Sequence, residues 1–402
     1  MNLSLDPFLF SQEYPESLTR TLSWGHSVCV RFNRTGEYLA SGLADGNVVI
    51  YDYDTYGVAK ILRGHAAAIQ SLSWSHDGRY ILSACRDWKC ILWDLKDEGP
   101  KRTINFGTPV LGAMLHPKDH NVFIASLYGE QPKYVRLKDD DVDISDIPNP
   151  NDKELTLAMT FSSTGDHIIA GTSKGNLNIL QNVNDKLDII HIVKVTNAGI
   201  KMLQLGPSGR KLLVNASDRV VRLLSIPEMS RDPVDSWEFN TVHKFQDFVN
   251  RLTWTAAAIN WTEEFVGATT YNNLDVYLWE TTMGSLTKIY DGPKEEMVHL
   301  EFHPRMSAMA TTGLDSGRIY LWEATIPQKW SALAPDFVEL EENEEYEERE
   351  DEFDLIDEEE RTKRQEEEGI VEVFAKDEEE DGTFVIPLRL TDFEQPPPVD
   401  DD

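Results

Sequence analysis

Two stretches of sequence decide the fold: "VRFNRTGEYLASGLADGNVVIYDYDT" at residues 30–55 and "LSWSHDGRYILSACRDWKCILWDLKD" at residues 72–97. Each contains a short apolar strand, a polar turn with glycine, a second strand, a turn with aspartate, and a third strand that ends in an aromatic residue followed by aspartate. The corresponding aromatic residues, Tyr51 and Trp93, are 42 positions apart. A period of this length is typical of modules that stack against one another.

Five weaker copies occur further along the chain, which makes seven in all. The third copy spans residues 113–137, and the later ones end at Leu180, Leu224, Trp279 and Trp322. The interval from Leu224 to Trp279 is longer than the others, and we expect the extra residues to form a loop at 225–240. The last copy lacks a fourth strand. We expect the segment from Leu18 to Trp24, which precedes the first full copy, to supply it and to close a ring without free sheet edges.

Sheets of four short strands, repeated every 40–45 residues, bury their faces by packing around a common axis. The sequence therefore predicts an all-β protein, a seven-bladed β-propeller of the WD40 type followed by an acidic, largely extended C-terminal tail. The dipeptide Trp93-Asp94 and the Gly-His pairs at 25–26 and 64–65 are typical of WD40 blades. The predicted divisions are an N-terminal segment with the ring-closing strand at 1–27, the propeller at 28–329, and tail segments at 330–360 and 361–402.

A buried polar network of four side chains can be placed on two copies. Its members would be His65, Ser83, Asp87 and Trp93 in the second copy, and His26, Ser41, Asp45 and Tyr51 in the first. A buried imidazole, hydroxyl and carboxylate must satisfy one another, so the network would fasten a turn to two strands. The same residue types form catalytic triads, but their recurrence at fixed spacing favours the structural role.

The charge of the chain is unevenly distributed. A net charge of −32 argues against a generic polyanion binder, because the average surface would repel nucleic acid and anionic lipid. Residues 337–402 hold 29 acidic and 6 basic residues, so this segment carries −23 and the remainder only −9. Arg219, Arg251 and Lys294 fall at predicted turns on one propeller face. They form a candidate basic rim for phosphate contact; the alternative is scattered surface charge.

Other residue patterns exclude several classes of protein. The chain has three cysteines, Cys29, Cys85 and Cys90, and an odd number without a paired framework fits a reducing compartment. The ten histidines show no metal-ligand spacing, and no glycine-rich phosphate loop occurs, so neither a metal nor another cofactor is predicted. No stretch of 18 apolar residues and no signal peptide is found, so no membrane partner is predicted.

From Phe337 onward the repeat stops and acidic residues dominate. Such a composition predicts disorder in isolation. Two interpretations stay open: a solvating tail, or a set of peptides that fold on binding. Apolar clusters at 353–356, 369–374 and 384–390 favour the second, because apolar residues can anchor in a partner while the acids steer toward a basic groove.

The sequence resembles the WD40 subunits of COMPASS-type histone H3 lysine-4 methyltransferase complexes, the retinoblastoma-binding protein 5 family, and in particular its fungal members. The similarity runs through "MNLSLDPF", "GDHIIAGTSKGN", "SDRVVRLL" and "FVNRLTW", and is strongest in "WSALAPDFVELEENEEYEEREDEFDLIDEEE" at 330–360. The resemblance implies a nuclear, non-catalytic scaffold and activator. Its implied partners are the SET-domain methyltransferase, a SPRY-domain subunit, a second WD40 subunit and the nucleosome with its histones and DNA.

The resemblance also implies roles for individual residues. A segment that presses on the SET domain would contain Ala334, Pro335, Asp336, Phe337, Glu339 and Leu340. A segment bound by the SPRY-domain subunit would contain Glu344, Glu345, Tyr346, Glu347, Glu348, Arg349, Glu350, Phe353 and Asp354. A motif for the second WD40 subunit would contain Ile370, Val371, Glu372, Val373 and Phe374, with Ile370 where the family has another acid. The basic rim would contact the nucleosome, and the tail would favour the closed, productive SET domain without donating a catalytic group.

Two other function classes stay under consideration. A histone chaperone or chromatin-assembly protein also combines a propeller with acidic sequence, and would bind free histones without an enzyme. A hydrolase built on a propeller would need a serine, histidine and aspartate set apart from the predicted networks. The sequence shows no such set.

Overall fold

In the computed structural model of the chain, the described residues are 14–97, 99–138, 141–150, 154–183, 186–247, 253–270 and 275–324. Within these ranges the protein consists almost wholly of 28 β-strands arranged in seven four-stranded antiparallel sheets. The seven-bladed β-propeller predicted from the repeat is therefore confirmed. The predicted tail, and the boundary at residue 329, lie outside the described residues.

The first four complete blades are consecutive along the chain. Strand β1 (Ser17–Leu22) precedes them. Blade 1 comprises β2 (Ser27–Phe32), β3 (Tyr38–Leu43), β4 (Val48–Asp52) and β5 (Val58–Leu62), and blade 2 comprises β6 (Ile69–Trp74), β7 (Tyr80–Cys85), β8 (Lys89–Asp94) and β9 (Pro100–Asn105). Blade 3 comprises β10 (Val110–Leu115), β11 (Val122–Leu127), β12 (Lys133–Leu137) and β13 (Val142–Asp146), and blade 4 comprises β14 (Thr156–Phe161), β15 (His167–Thr172), β16 (Asn176–Val183) and β17 (Lys186–Lys194).

Three more blades complete the ring. Blade 5 comprises β18 (Ile200–Leu205), β19 (Lys211–Ala216), β20 (Val221–Ser225) and β21 (Asn240–Phe245), and blade 6 comprises β22 (Trp254–Ile259), β23 (Phe265–Thr270), β24 (Val276–Glu280) and β25 (Leu286–Tyr290). Blade 7 comprises β26 (Met297–Phe302), β27 (Ala308–Gly313) and β28 (Ile319–Glu323), with β1 as its outer strand.

The ring is closed by pairing the two ends of the propeller sequence. Strand β1 runs antiparallel to β28, with Ser17 opposite Glu323 and Leu22 opposite Ile319. The residue before β1 extends the pairing, because the Glu16 amide donates to the Glu323 carbonyl at 3.0 Å. An outer strand from the N-terminal side covers the edge that β28 would otherwise expose, and fastens the first blade to the last.

Blade packing explains why the strands are so apolar. The second strand of most blades is buried along its whole length, as in β11, where all six residues of Val122–Leu127 are buried. A strand that is covered on both faces gives a continuous apolar run instead of alternation. Large side chains fill the spaces between blades; Trp93, for example, has 0% exposure and lies in a cluster shared by blades 1 and 2.

The first strand of every blade lies innermost, and these seven strands contact one another in a closed ring. They surround an axial channel with a volume of about 720 Å³. We call the propeller face with turns such as 86–88, between the second and third strands, the upper face. The lower face carries turns such as 75–79, between the first and second strands.

The extra residues of blade 5 lie between β20 and β21, where the long interval predicts a loop. This connection contains a short 3-10 helix, Val234–Ser236. The neighbouring Trp237 is buried against the ring of His167, with ring centroids 5.5 Å apart, and its indole N–H donates to the Asp232 carbonyl at 3.0 Å. The loop is thus anchored to blade 4.

No helix in the described ranges is long and apolar enough to cross a membrane.

Candidate functional site

The polar network of blade 2 joins the four side chains that the spacing predicts. The His65 Nδ1 lies 3.0 Å from a carboxylate oxygen of Asp87, and its Nε2 lies 2.7 Å from the Ser83 Oγ. The indole N–H of Trp93 donates to the same Ser83 oxygen at 2.8 Å. The Ala66 amide donates to Asp87 at 3.1 Å. The network thereby fastens the turn before β6 to the turn before β8.

Burial and hydrogen bonding set the charges of this network. Burial lowers the pKa of His65, and the nearby Asp87 carboxylate opposes that effect only in part. Burial alone would raise the pKa of Asp87, but hydrogen bonds from the Ala66 amide and from His65 outweigh it and hold this pKa below its usual value. Ser83 has 0% exposure, so a substrate cannot reach its hydroxyl. The arrangement is suited to holding a turn in place and unsuited to nucleophilic catalysis.

The same region contains three side chains of metal-ligand type. Ligand atoms of His65, Cys85 and Asp87 all lie within 4.8 Å of one another. The His65 and Asp87 atoms are hydrogen-bonded to each other, and the Cys85 thiol donates to the Ala67 carbonyl at 2.9 Å. Burial raises the pKa of Cys85 to about 11, so the thiol stays protonated near neutral pH. A metal ion would have to displace protons and hydrogen bonds that already satisfy these groups.

The prediction of a second network, formed by His26, Ser41, Asp45 and Tyr51, is wrong. The Ser41 hydroxyl pairs with Ser27 at 2.7 Å, the Tyr51 hydroxyl donates to the Trp24 carbonyl at 3.3 Å, and the His26 residue is exposed. Asp45 accepts from the Asn47 amide instead. The physical reason is the aromatic residue: tyrosine has no ring N–H where an indole donates, so nothing holds the serine as Trp93 holds Ser83.

Blade 7 contains a related network that was not predicted from the sequence. The indole N–H of Trp322 donates to Thr311 at 3.0 Å, which reproduces the contact between Trp93 and Ser83. A carboxylate, Glu295, takes the place of the histidine and accepts from the Ser316 hydroxyl at 2.6 Å. The available signal was a hydroxyl residue eleven positions before the closing tryptophan, together with an acid just before the first strand.

Blades 4 and 5 fasten the same two turns with other chemistry. In blade 4, the Asn176 amide donates to the buried Glu154 at 3.1 Å. In blade 5, the Thr196 hydroxyl donates to Asp218 at 2.7 Å, and Arg222 pairs with the same carboxylate at 2.5 Å. The link between the turns is thus retained while its side chains change. In these blades the upper-face turns are therefore held in place, and their exposed residues are presented on a fixed backbone.

Acidification is expected to destabilise the propeller as the pH falls below about 6.5, the ordinary pKa of histidine. Burial, aided by Arg31, lowers the pKa of His299 on β26 to about 4. Between these values the unfolded chain binds a proton that the folded chain does not, so stability that is present above pH 6.5 is lost toward pH 4. Urea unfolding midpoints at pH 7.5 to 4.5 measure this loss.

The matched variants are His299→Gln and His26→Gln, because His26 is exposed on the upper face. His299→Gln removes the buried group that titrates. The free energy of unfolding should therefore depend less steeply on pH, by up to about 1.4 kcal/mol per pH unit. The slope of His26→Gln should match that of the wild type. Equal slopes in the two variants would show that His299 does not drive the acid loss.

Two of the three predicted rim residues lie on the upper face. Arg219 is exposed in the turn before β20, and Lys294 is exposed in the turn before β26. Arg251 lies outside the described residues. Arg318, exposed in the turn before β28, adds to the same face a base that was not predicted from the sequence. The sequence feature that could have identified Arg318 is a basic residue just before the third strand of a blade, as at Arg219.

The backbone at Arg219 is unusual for a residue with a side chain. Its φ is 68°, whereas the corresponding turns of blades 4 and 7 use Gly175 and Gly317 at φ 81° and 64°. A left-handed conformation costs a non-glycine residue about 1–2 kcal/mol. The turn is held because the Trp254 indole N–H donates to the Arg219 carbonyl at 2.9 Å. Trp88 has the same conformation, with a φ of 70°, in the corresponding turn of blade 2, so this backbone geometry belongs to the blade turn and is not specific to a basic residue.

The remaining predicted site residues belong to the tail. The segments for the SET domain, the SPRY-domain subunit and the second WD40 subunit, which together span Ala334 to Phe374, lie outside the described residues. Their contacts stay predictions. The last described residue is Ala324, whose amide donates to the Ser307 carbonyl at 3.1 Å at the lower face of blade 7.

Comparison with known proteins places this architecture in a family. The family model "WD domain, G-beta repeat" matches residues 16–52 and 57–94. The crystal structure of the Cps50 (Swd1) β-propeller domain of Myceliophteria thermophila is similar with a TM-score of 0.74 and 45% identity, over 77% of this chain and 100% of that chain. This agrees with a propeller that occupies the described part of the sequence.

Similarity to curated relatives extends beyond the propeller. The Set1 complex component swd1 of Schizosaccharomyces pombe is 43% identical over 97% of this chain and 100% of its own length. The COMPASS component SWD1 of Saccharomyces cerevisiae is 37% identical over 89% of this chain and 88% of its own length. The retinoblastoma-binding protein 5 homolog of Drosophila melanogaster is 32% identical over 87% of this chain and 71% of its own. The resemblance is therefore confirmed, and the chain belongs to the family of Swd1 and retinoblastoma-binding protein 5 homologues.

Proposed function

We propose that the chain is a non-catalytic scaffold and activator subunit of a nuclear histone H3 lysine-4 methyltransferase complex. The observation that carries the proposal is the similarity to the Set1 complex component swd1, which covers 97% of this chain and all of that relative. It therefore includes most of the tail as well as the propeller. A shared tail matters because the tail contains the segments with implied partners.

The described body supports a scaffold role. The serine, histidine and aspartate of blade 2 are committed to holding a turn, with Ser83 at 0% exposure. Equivalent turns in blades 4, 5 and 7 are fastened by Glu154, Asp218 and Glu295. Fastened turns in four of the seven blades make the platform stiffer, and rigid elements present binding residues with little loss of entropy on association.

The tail would engage protein partners one segment at a time. In this proposal residues 334–340 contact the SET domain, residues 344–354 bind the SPRY-domain subunit, and residues 370–374 bind the second WD40 subunit. A segment that touches both the SET domain and its neighbour favours the closed state of the SET domain. The effect is a shift of population, which requires different affinities for the open and closed states.

The upper face would contact the nucleosome. Arg219 and Lys294 are exposed there, together with Arg318. Basic side chains at such turns can bind DNA phosphates without reading base sequence. Residues 1–336 carry a net charge of only −9, compared with −32 for the whole chain, so a local basic region on the propeller is compatible with the overall composition.

The triple variant Arg219→Glu, Arg251→Glu, Lys294→Glu is expected to weaken nucleosome binding by about tenfold or more, because three phosphate contacts are lost. Each lost contact should also make the logarithm of the binding constant less steeply dependent on the logarithm of the salt concentration, by roughly one unit of slope. A gel-shift titration of the full chain at several salt concentrations measures both quantities. The matched control is Lys96→Glu, Arg231→Glu, Arg305→Glu, which makes the same charge change at exposed positions of lower-face turns. Equal affinities for the two triple variants would exclude the rim.

A reconstituted methylation assay tests the proposed function. The SET-domain, SPRY-domain and second WD40 subunits are assayed on nucleosomes with and without this chain. We expect the rate to rise by about tenfold or more, which corresponds to about 1.4 kcal/mol of added stabilisation of the productive state. An unchanged rate would overturn the proposal. Deposition of free histones on DNA by the chain alone, without any effect on methylation, would favour a histone chaperone instead.

A further inference from the structure

The axial channel has a charge opposite to that of the protein. Its volume is about 720 Å³, and four bases line it: Arg31, Arg34, Lys118 and Lys201. Among the described residues that line it there is no aspartate or glutamate. The whole chain has 70 acids against 38 bases, so a wall without acids is unexpected for this composition.

Three of the four bases have no carboxylate partner in the described part of the chain. Arg31 pairs with Glu301 at 2.8 Å, so its charge is largely offset. Arg34, Lys118 and Lys201 are exposed and form no ion pair with any described residue. Uncompensated charges inside a concave surface with low-dielectric walls focus the field toward the opening and attract ions of the opposite sign.

The charge is concentrated at the lower mouth of the channel. Arg34 lies in the turn after β2, His76 in the turn after β6 and Lys118 in the turn after β10, so the lower-face turns of three neighbouring blades contribute one group each. The guanidinium of Arg34 contacts the His76 ring. Lys201 lies near the upper end of the channel, one residue into β18. Each end of the channel therefore carries basic charge, and more of it lies at the lower mouth.

We propose that this channel binds a small compound with several phosphate groups, held at the lower mouth by Arg34, His76 and Lys118. Guanidinium groups match phosphate oxygens with two parallel hydrogen bonds, and lysine adds a compact charge. Three groups on three separate turns suit an anion whose charges are spread over several phosphates. The volume is in the range of about 300–1,000 Å³ typical of small-molecule sites. This inference does not depend on the proposed function.

Isothermal titration of the full chain with inorganic tripolyphosphate tests the proposal. We expect one saturable site whose affinity falls as sodium chloride is raised. The variant Arg34→Gln, Lys118→Gln should bind at least about tenfold more weakly, because two charge-assisted contacts are lost. The control Lys96→Gln, Arg305→Gln removes the same charge from exposed lower-face turns that do not line the channel, and should stay within about twofold of the wild type.

Thermal unfolding without ligand shows whether the variants are folded. If the double variant is unstable, Lys118→Gln alone, in an exposed turn, replaces it and should weaken binding by several fold. Three results would overturn the proposal: no saturable binding by the wild type, an equal loss in the channel and control variants, or equal affinity for citrate. The last would show that the site does not select phosphate over carboxylate.

Discussion

Replacing Trp93 with alanine is expected to lower the free energy of unfolding by about 3–5 kcal/mol, the usual effect of removing a buried aromatic side chain. Trp93 has 0% exposure and packs in the apolar cluster between blades 1 and 2. Its indole N–H also holds the Ser83 hydroxyl, which in turn bonds His65. The substitution therefore creates a cavity and removes the donor that anchors the network.

Urea unfolding of the variant series separates these two contributions. Trp93→Phe keeps an aromatic ring and loses the donor, and should cost about 1–3 kcal/mol through the unsatisfied network and the smaller ring. Tyr51→Phe in blade 1 removes only a 3.3 Å hydrogen bond to the Trp24 carbonyl, so its effect should be less than about 1 kcal/mol. If Trp93→Phe costs no more than Tyr51→Phe, the blade 2 network does not stabilise the propeller.

Ending the chain after Pro335 is expected to abolish the stimulation of histone methylation while leaving the propeller folded. The 28 strands found in the described residues end by Glu323, so the truncation leaves every described blade and the pairing of β1 with β28 in place. It does remove the SPRY and second WD40 segments and most of the SET-domain segment. The measurements are the reconstituted methylation rate and the thermal unfolding temperature, which should stay within a few degrees of the full chain.

A second truncation provides the matched control. A chain that ends at Gly369 keeps the proposed SET-domain and SPRY segments and loses only residues 370–402, which include the motif for the second WD40 subunit. It should retain the SPRY-domain subunit and lose the second WD40 subunit in pull-down experiments. Full stimulation by the chain that ends at Pro335 would contradict the role assigned to the tail.

The repeat made most of the fold predictable from the sequence. The 42-residue interval between Tyr51 and Trp93 identifies the blade length, and the long interval before Trp279 locates the extra loop of blade 5. These features are predictable because each blade is a local unit whose strands are neighbours in sequence. The network of blade 2 is predictable for the same reason, since its members lie within one repeat.

Features that depend on atomic detail or on several blades were not predictable. Tyr51 occupies the position of Trp93 in the repeat, but its hydroxyl donates to the Trp24 carbonyl while Ser41 pairs with Ser27. In blade 7 the carboxylate of Glu295 holds the turn, two residues after the position that histidine has in blade 2, and no spacing rule for histidine can detect it. The positive channel is assembled from single residues of several blades, far apart in sequence, so the composition of no one segment indicates it.

Affinity purification of the tagged full chain from its own cells, with mass spectrometry of the bound proteins, tests the assignment to a methyltransferase complex most directly. We predict recovery of a SET-domain protein, a SPRY-domain protein and a second WD40 protein with the full chain, and loss of these partners with the chain that ends at Pro335. Recovery of histones and assembly factors alone, with no SET-domain protein, would contradict the assignment.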